Sequence, residues 1–164
     1  MTNTYIALST ITLATAQSSV TFGSIPQTYR DLVLVANLSL SGLQEYNMRF
    51  NGDAGSNYNR ISMGFINSLG IHSDSVNSTS FFLTYTDGNI RSLATLQLMD
   101  YSATDKHKSF LSRANTPQTT NINTALVNAQ AGRWANTAAI TQIEIRTSVN
   151  FSIGSTFSLY GIAG

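Results

Sequence analysis

The fold of this chain is decided by the stretch Arg49-Phe50-Asn51-Gly52-Asp53-Ala54-Gly55-Ser56-Asn57-Tyr58. Asn-Gly between two extended segments is the strongest short-range signal for a β-hairpin, because a type I′ turn needs a positive φ at both central residues. The sequence therefore predicts a strand over Tyr46 to Phe50 and a second strand, Tyr58 to Ile66, that pairs back on it.

A second hairpin is predicted further along the chain, around the turn residues Asp87-Gly88. Ser80 to Tyr85 precedes this turn and Ile90 to Tyr101 follows it, and both segments carry aromatic and aliphatic residues typical of strands. The residues expected on the buried side of this hairpin are Leu93, Leu96 and Leu98.

The remaining segments extend the β pattern to both ends of the chain. Asp31 to Leu40 opens with apolar residues on both faces, which is typical of a central strand, whereas the first and last strands are expected at sheet edges. Roughly ten strands without helical periodicity predict an all-β fold. We therefore expect one domain over residues 1–164, an antiparallel, jelly-roll-like β-sandwich. The other predicted strands are Tyr5 to Leu13, Ser19 to Phe22, Ser109 to Arg113, Asn123 to Ala129, Thr141 to Arg146 and Phe157 to Ile162.

The composition limits the kinds of site that the chain can form. There are no cysteines, which excludes disulfide scaffolds, thiolate zinc sites and thiol catalysis together. Charged residues make up 10% of the chain, against about 25% in an average soluble domain. A surface of hydroxyl and amide groups with a formal net charge of +1 repels its neighbours little. This fits either a low-charge extracellular domain or a subunit of a larger assembly.

The sequence predicts neither a signal peptide nor a membrane span. Met1 to Tyr5 lack a basic region and run directly into an alternating pattern, and no apolar run approaches the roughly 20 residues of a transmembrane helix. Nucleic-acid binding is not expected either, because Lys106-His107-Lys108 is the only basic cluster and the arginines are scattered singly.

No arrangement of side chains in the sequence predicts catalysis. The histidines, His72 and His107, fall in predicted loops, and a catalytic triad needs a nucleophile, a base and a carboxylate in mutual reach. A glycosidase needs two carboxyl groups about 5 to 9.5 Å apart. The fold could bring Asp53 and Asp100 together in this way, so a sugar-cleaving enzyme is kept as an alternative function. Otherwise we expect no enzymatic activity and no cofactor.

The turn over residues 51–57 faintly imitates a calcium-binding loop, because side-chain oxygens recur at alternate positions. One carboxylate makes a poor site for a hard cation, however, and no bidentate glutamate follows at the required spacing. The simpler interpretation is that Gly52 and Gly55 adopt positive φ values, while Asn51 and Asp53 accept Asx-turn hydrogen bonds.

A glycan groove or a partner contact could be built at two predicted loops, Asn67 to Ser80 and Ser102 to Lys108. The only tryptophan, Trp134, is expected to fill the core rather than to form a sugar platform. Tyrosines that could stack on sugar rings at the surface are Tyr46, Tyr58 and Tyr101. The candidate contacts to a partner or a glycan are His72, Tyr101, Lys106 and Lys108.

Four segments, in order along the chain, carry a family resemblance. They are Phe22 to Leu34 (FGSIPQTYRDLVL), Met48 to Tyr58 (MRFNGDAGSNY), Arg133 to Ile143 (RWANTAAITQI) and Gly154 to Ile162 (GSTFSLYGI). Together these segments resemble a family of small virion structural proteins of tailed bacteriophages. The family's motifs are mostly turn and core positions, which specify a fold better than a function.

The resemblance implies a non-enzymatic β-sandwich subunit of a phage particle, made in the host cytoplasm and located in the virion. Its function would be that of a capsid decoration or cement protein, which binds the major capsid protein or other virion proteins. It would also bind itself, with a trimer expected because such surface subunits are often threefold. The alternative is a tail-fibre or receptor-binding module that recognises host surface glycans. No catalytic residues follow from the family.

Overall fold

The computed structural model describes residues 4–42, 44–65, 77–86, 90–116 and 126–164. These residues form β-strands joined by turns and loops. No helix long and apolar enough to cross a membrane is present in this part of the chain. The strands are β1 (Tyr5–Thr12), β2 (Gln17–Phe22), β3 (Asp31–Leu38), β4 (Gln44–Phe50), β5 (Tyr58–Phe65), β6 (Phe81–Thr86), β7 (Ser92–Met99), β8 (Lys108–Thr116), β9 (Leu126–Trp134), β10 (Ile143–Phe151) and β11 (Thr156–Ile162).

The strands form two antiparallel sheets that pack face to face around one apolar core. The seven-stranded sheet has the order β1-β11-β3-β7-β8-β9-β5, and the four-stranded sheet has the order β2-β10-β4-β6. Consecutive strands change sheet at every step except β7 to β8 and β8 to β9. The predicted antiparallel β-sandwich is confirmed, and its two sheets differ in size.

The Asn51-Gly52 turn is formed, but it does not join two paired strands. Both residues have the predicted positive φ, 52° and 69° respectively. Strand β4 lies between β10 and β6 in the four-stranded sheet, whereas β5 pairs with β9 at the edge of the seven-stranded sheet. The predicted first hairpin is therefore wrong, because residues 53–57 carry the chain across to the other sheet instead of back along β4.

The second predicted hairpin is wrong for a similar reason. Strand β6 pairs with β4, while β7 lies between β3 and β8 and has both of its edges occupied. The turn residues Asp87-Gly88 lie outside the described part of the chain. Leu96 and Leu98 are buried as predicted, but Leu93 belongs to the opposite face of β7 and is 48% exposed.

The sequence also predicts the positions of three other strands within their sheets. Strand β3 is central, as predicted, between β11 and β7. Strand β1 lies at a sheet edge, as predicted. The prediction that the last strand is also an edge is wrong, because β11 pairs with β1 on one side and with β3 on the other.

An aromatic cluster joins the two sheets at one end of the core. The ring of Phe50 from β4 lies 5.6 Å from that of Phe110 and 5.5 Å from that of Trp134, between centroids. Phe81 from β6 packs edge-on against Phe110 at 4.5 Å. Trp134 is 1% exposed, which confirms its predicted place in the core.

Gly132 on β9 allows Phe110 to pack directly on the β9 backbone, and a Cβ at this position would clash with the Phe110 ring. We expect Gly132→Ala to lower the free energy of unfolding by about 1–3 kcal/mol, the usual cost of overpacking a core. The matched control is Gly23→Ala, where a Cβ meets no atom within 4 Å. Urea unfolding of both variants checks this, and equal stabilities would contradict it.

Candidate functional site

Three of the predicted site residues, Tyr101, Lys106 and Lys108, lie at the same end of the sandwich as the Asn-Gly turn. The backbone N–H of Ile25 donates to the carbonyl of Thr141 at 3.0 Å, and that of Ile140 donates to the carbonyl of Tyr101 at 2.9 Å. These bonds join neighbouring connections into one layer, which we call the loop layer. It consists of residues 23–30, 51–57, 100–107 and 135–142.

Asp53 is the hub of this layer. Its carboxylate accepts hydrogen bonds from the Trp134 indole Nε1 at 2.7 Å, from Asn57 Nδ2 at 2.8 Å and from the Gly55 N–H at 2.8 Å. Burial by itself would raise the pKa of Asp53, but these donors and Asn136 outweigh it and hold that pKa below its ordinary value. The Asp53 carboxylate is thus occupied by N–H donors. In a calcium loop the carboxylate oxygens would instead bind the cation, so the turn differs from the loop that it imitates in sequence.

The other predictions for this turn have mixed outcomes. The bond from Gly55 to Asp53 is the predicted Asx turn, but Gly55 does not have a positive φ. The Asx turn predicted at Asn51 is wrong, because its side chain reaches across the loop layer. Asn51 Oδ1 accepts from the N–H groups of Thr141 at 2.9 Å and Gln142 at 3.1 Å, and Nδ2 donates to the Ala139 carbonyl at 2.8 Å.

The Tyr58 hydroxyl closes the corner between β4 and β5. It accepts from the Phe50 N–H at 2.9 Å and donates to the Asp53 carbonyl at 3.2 Å. Tyr58 is 1% exposed, and burial raises the pKa of Tyr58 to about 12. Tyr46 is also fully buried, with its hydroxyl 3.2 Å from Ser92 Oγ. The prediction that these tyrosines lie at the surface is wrong, because each hydroxyl has an internal partner.

Two of the four candidate contact residues are buried, Tyr101 in the loop layer and Lys108 next to it at the start of β8. Tyr101, also predicted at the surface, is fully buried and donates its hydroxyl to the Pro26 carbonyl. Lys108 is fully buried, and its ammonium donates to the carbonyls of Lys106 at 3.0 Å and Thr137 at 3.1 Å. Burial lowers the pKa of Lys108. In this structure these side chains hold loops together and present no contact surface.

Lys106 is the candidate whose charged end reaches solvent, where it pairs with Asp100 Oδ2 at 3.0 Å. Asp53 and Asp100, the pair considered for glycoside hydrolysis, therefore have separate partners. The lowered pKa of Asp53 is the opposite of what a general acid needs. Within the described ranges no group of three or more His, Asp or Glu residues could hold a metal ion. His72 lies outside the described residues.

A different surface stands out on the seven-stranded sheet, where β5 has a reversed pattern. Ile61 and Met63 point to solvent and are 58% and 56% exposed. The alternate residues Arg60 and Ser62 are less exposed, and the Arg60 guanidinium lies 4.5 Å from the centre of the Phe82 ring on β6. After the buried Tyr58, the apolar side of this strand therefore faces outward.

The neighbouring strand β9 is reversed in the same way. Val127 is 67% exposed, whereas Asn128 and Gln130 are 5% and 3% exposed. The two buried amides donate to the carbonyl of Leu83 at 3.3 and 2.7 Å, where a register shift leaves Leu83 without a partner in the β4–β6 pairing. A polar contact thus occupies the inner side of β9 at Asn128 and Gln130, where Val127 and Ala131 lie outside, whereas the end of the strand buries Trp134.

Strand register places these exposed residues side by side. Ile61 pairs with Ala131, which pairs in turn with Leu111 on β8. The surface contains two hollows of about 670 and 520 Å³. We call this surface the outer face, formed by Ile61, Met63, Leu93, Thr95, Leu111, Arg113, Val127, Ala129 and Ala131.

Sequence reasoning missed the outer face, although one signal for it was present. Phe110 and Leu111 are adjacent on β8, so one of them must point away from the core. The same holds for Leu93 and Ala94 on β7. An antiparallel sheet that is covered on one face needs apolar residues on that face alone. Apolar residues on both sides of neighbouring strands therefore indicate a second apolar face.

No protein-family model and no curated protein matches this chain. Among solved structures, the chain is similar to a protein of unknown function, SO2946, from Shewanella oneidensis MR-1. The TM-score is 0.23 and the identity 10%, over 99% of this chain and 77% of that one. A similarity this weak shows neither a family nor a function.

We expect Asp53→Asn to lower the free energy of unfolding at pH 7 by about 1.5–3 kcal/mol, the range for hydrogen bonds to charged groups. Because the pKa of Asp53 is lowered in the folded state, its stabilisation is fully present above the unfolded-state pKa of about 3.9. It is lost as the pH falls below that value, through the folded-state pKa. Urea unfolding at pH 7 and pH 3, followed by Trp134 fluorescence, measures both effects.

The control for this experiment is Asp105→Asn, which removes the same charge from an exposed position in the same loop layer. We expect its stability to stay within about 0.5 kcal/mol of the wild type, as at most surface positions. An Asp53→Asn deficit that is absent, or equally large at pH 7 and pH 3, would show that the charged hydrogen bonds do not stabilise the corner.

Proposed function

We propose that the chain is a non-enzymatic structural subunit of a bacteriophage virion, a capsid decoration or cement protein that binds the assembled shell. The observation that supports this most is the outer face, where β5 and β9 expose Ile61, Met63 and Val127 while the neighbouring Arg60, Asn128 and Gln130 are turned inward. Contiguous exposed apolar surface of this kind is typical of protein–protein interaction sites. The partner we propose is the major capsid protein or another virion protein.

The outer face supplies a driving force for such binding. Ile61, Met63, Leu111 and Val127 are each at least half exposed, and fully covering one large aliphatic side chain is worth about 1.5–3 kcal/mol. The low charge of the chain adds little repulsion against a neighbouring subunit. Contacts made only in the assembled particle stabilise that particle by mass action.

The alternative, a receptor-binding module for host glycans, keeps one observation in its favour. Tyr5 is 60% exposed and lines the larger hollow, so its ring could stack on a sugar. Apart from Arg113, the other large exposed residues around this hollow are aliphatic, and aliphatic side chains give a sugar no hydrogen bonds. We therefore rank this function second. Binding to a glycan array that is lost in Tyr5→Ala would favour it over capsid decoration.

We also propose that the subunit binds itself through β1. This strand is a sheet edge of eight residues, YIALSTIT, without a charged residue or a proline, and natural edge strands usually carry such residues to prevent pairing. A bulge between Ala7 and Ser9 divides the edge into two halves. Pairing of β1 with β1 of a second copy gives a dimer, whereas the expected trimer would need β1 to pair with a different edge.

The proposed function is tested with phage particles assembled without this subunit. We expect purified chain to co-sediment with them at a saturating stoichiometry and to raise the temperature at which the shell opens. The double variant Ile61→Ser/Leu111→Ser should bind about tenfold more weakly or worse, because it removes two central apolar contacts. Ile153→Ser is the matched control, since Ile153 is 66% exposed but lies in the connection between β10 and β11.

Two results would count against the decoration function. One is that the particles open at the same temperature with and without the chain. The other is that the chain binds host cells but not particles, which would move the function to host recognition.

Self-association through β1 is tested by single-cysteine cross-linking, since the natural chain has no cysteine. In a twofold antiparallel pair, only residues near the axis bring their Cα atoms within the roughly 4.4–6.8 Å that a disulfide requires. We therefore expect cysteine at one of Tyr5, Ala7, Thr10 or Thr12 to give a covalent dimer under mild oxidation. Ser19→Cys, exposed on the edge strand β2, is the control. Equal yields at all five positions, or a monomer by light scattering, would contradict the proposal.

A further inference from the structure

We propose, building on the function above, that the outer face binds a β-strand of the partner whose exposed side chains read apolar-x-acidic-x-apolar. The acidic residue pairs with Arg113, and the two apolar residues enter the two hollows. This assigns both the chemistry of the partner surface and the residue that selects it.

Arg113 lies between the hollows. Strand register places Met63 opposite Ala129, Ala129 opposite Arg113, and Arg113 opposite Thr95. These four residues line both hollows, so they form the row that separates them. The larger hollow extends on the Leu111 side of this row, and the smaller one on the Asn115 side.

The spacing of the hollows fits an extended chain. Leu111, Arg113 and Asn115 are alternate residues on the outward side of β8, so their rows are separated by about 6.8 Å at roughly 3.4 Å per residue. In a partner strand that runs along β8, side chains at i, i+2 and i+4 point to the same side at the same spacing. One apolar residue can therefore reach each hollow while the residue between them faces Arg113. Two sheets packed in this way lie about 10 Å apart with nearly aligned strands.

The charge of the partner follows from the absence of an acidic residue next to Arg113. Of the described residues that line the hollows, Arg113 alone is charged. It is exposed and makes no ion pair to a carboxylate in the same part of the chain. A partner that covers these hollows with apolar groups alone would remove the guanidinium from water without compensation, which is costly. A carboxylate in the middle position provides a charge-assisted, bidentate hydrogen bond instead.

A second copy of the outer face is a poorer occupant than an acidic strand. Because no carboxylate is found among the described residues that line the hollows, two outer faces packed together would bury two guanidinium groups without an acidic partner. Self-association uses the backbone edge of β1, whereas the partner strand contacts side chains of the outer face; among the described residues of β1, Tyr5 also lines the larger hollow. The two contacts can therefore form at the same time.

The experiment uses a display library of β-hairpins whose outward positions are randomised, selected for binding to the full chain. We expect the selected hairpins to carry Asp or Glu flanked at i−2 and i+2 by large apolar residues. Binding should weaken about 30-fold or more in Arg113→Glu, as for a buried interfacial charge pair that has been broken. A hairpin with Lys in the middle position should recover binding to Arg113→Glu.

The matched control is Arg146→Glu, the same charge change at a partly exposed position on β10 of the four-stranded sheet. It should bind the selected hairpins like the wild type. Selected hairpins without a carboxylate, binding that is indifferent to Arg113→Glu, or equal losses in both variants would overturn the assignment. Failure to select any hairpin would overturn it as well.

The assay with phage particles separates this inference from the proposed function. If particles bind the wild type and Arg113→Glu equally well, the decoration function stands and the role of Arg113 is refuted. If the hairpins behave as expected but no particle binds, the partner chemistry stands and the partner is not a virion protein.

Discussion

The arrangement of the two sheets depends on the hydrogen bonds that the Asp53 carboxylate accepts. This carboxylate lies just after β4 leaves the four-stranded sheet and binds the indole of Trp134 at the end of β9 in the other sheet. The Tyr58 hydroxyl ties the same corner back to the Phe50 N–H. These polar bonds lie against the rings of Phe50, Tyr58 and Trp134, which pack together and limit the access of water. The corner therefore directs the chain across the sandwich, although its Asn-Gly turn could equally have led it back along β4.

The fold class could be predicted from the sequence because it depends on local properties. Period-two alternation, short strands and turn residues identify an antiparallel sandwich without any knowledge of which strands pair. Pairing depends on contacts between distant residues, such as Asn51 with Thr141 and Gln142, and no local pattern reports them. For this reason the turn conformation at Asn51-Gly52 was predicted correctly and its hairpin was not. The interior position of β11 was missed in the same way, since it results from pairing with β1, at the far end of the chain.

The outer face was harder to predict than the core. Alternation divides a strand into two sides but does not say which side is inside, and on β5 and β9 the usual assignment is reversed. On β9 the inward side carries two buried amides that donate to the carbonyl of Leu83, a residue without a partner in the β4–β6 register. The candidate residues Tyr101 and Lys108 were misplaced because polar ends can be buried when backbone carbonyls accept their hydrogen bonds. A tyrosine or lysine in a predicted loop therefore does not by itself mark a surface.

The role of Asp53 is tested most directly by hydrogen exchange at the Trp134 indole, which gives a single NMR signal because the chain has one tryptophan. If the bond to Asp53 holds the two sheets together, this N–H exchanges only when the whole domain unfolds. Its protection then equals that of the backbone amides of β10 in the centre of the four-stranded sheet. An indole that exchanges within minutes at neutral pH while the β10 amides stay protected would show that the corner opens independently, and that the crossing between the sheets does not depend on it.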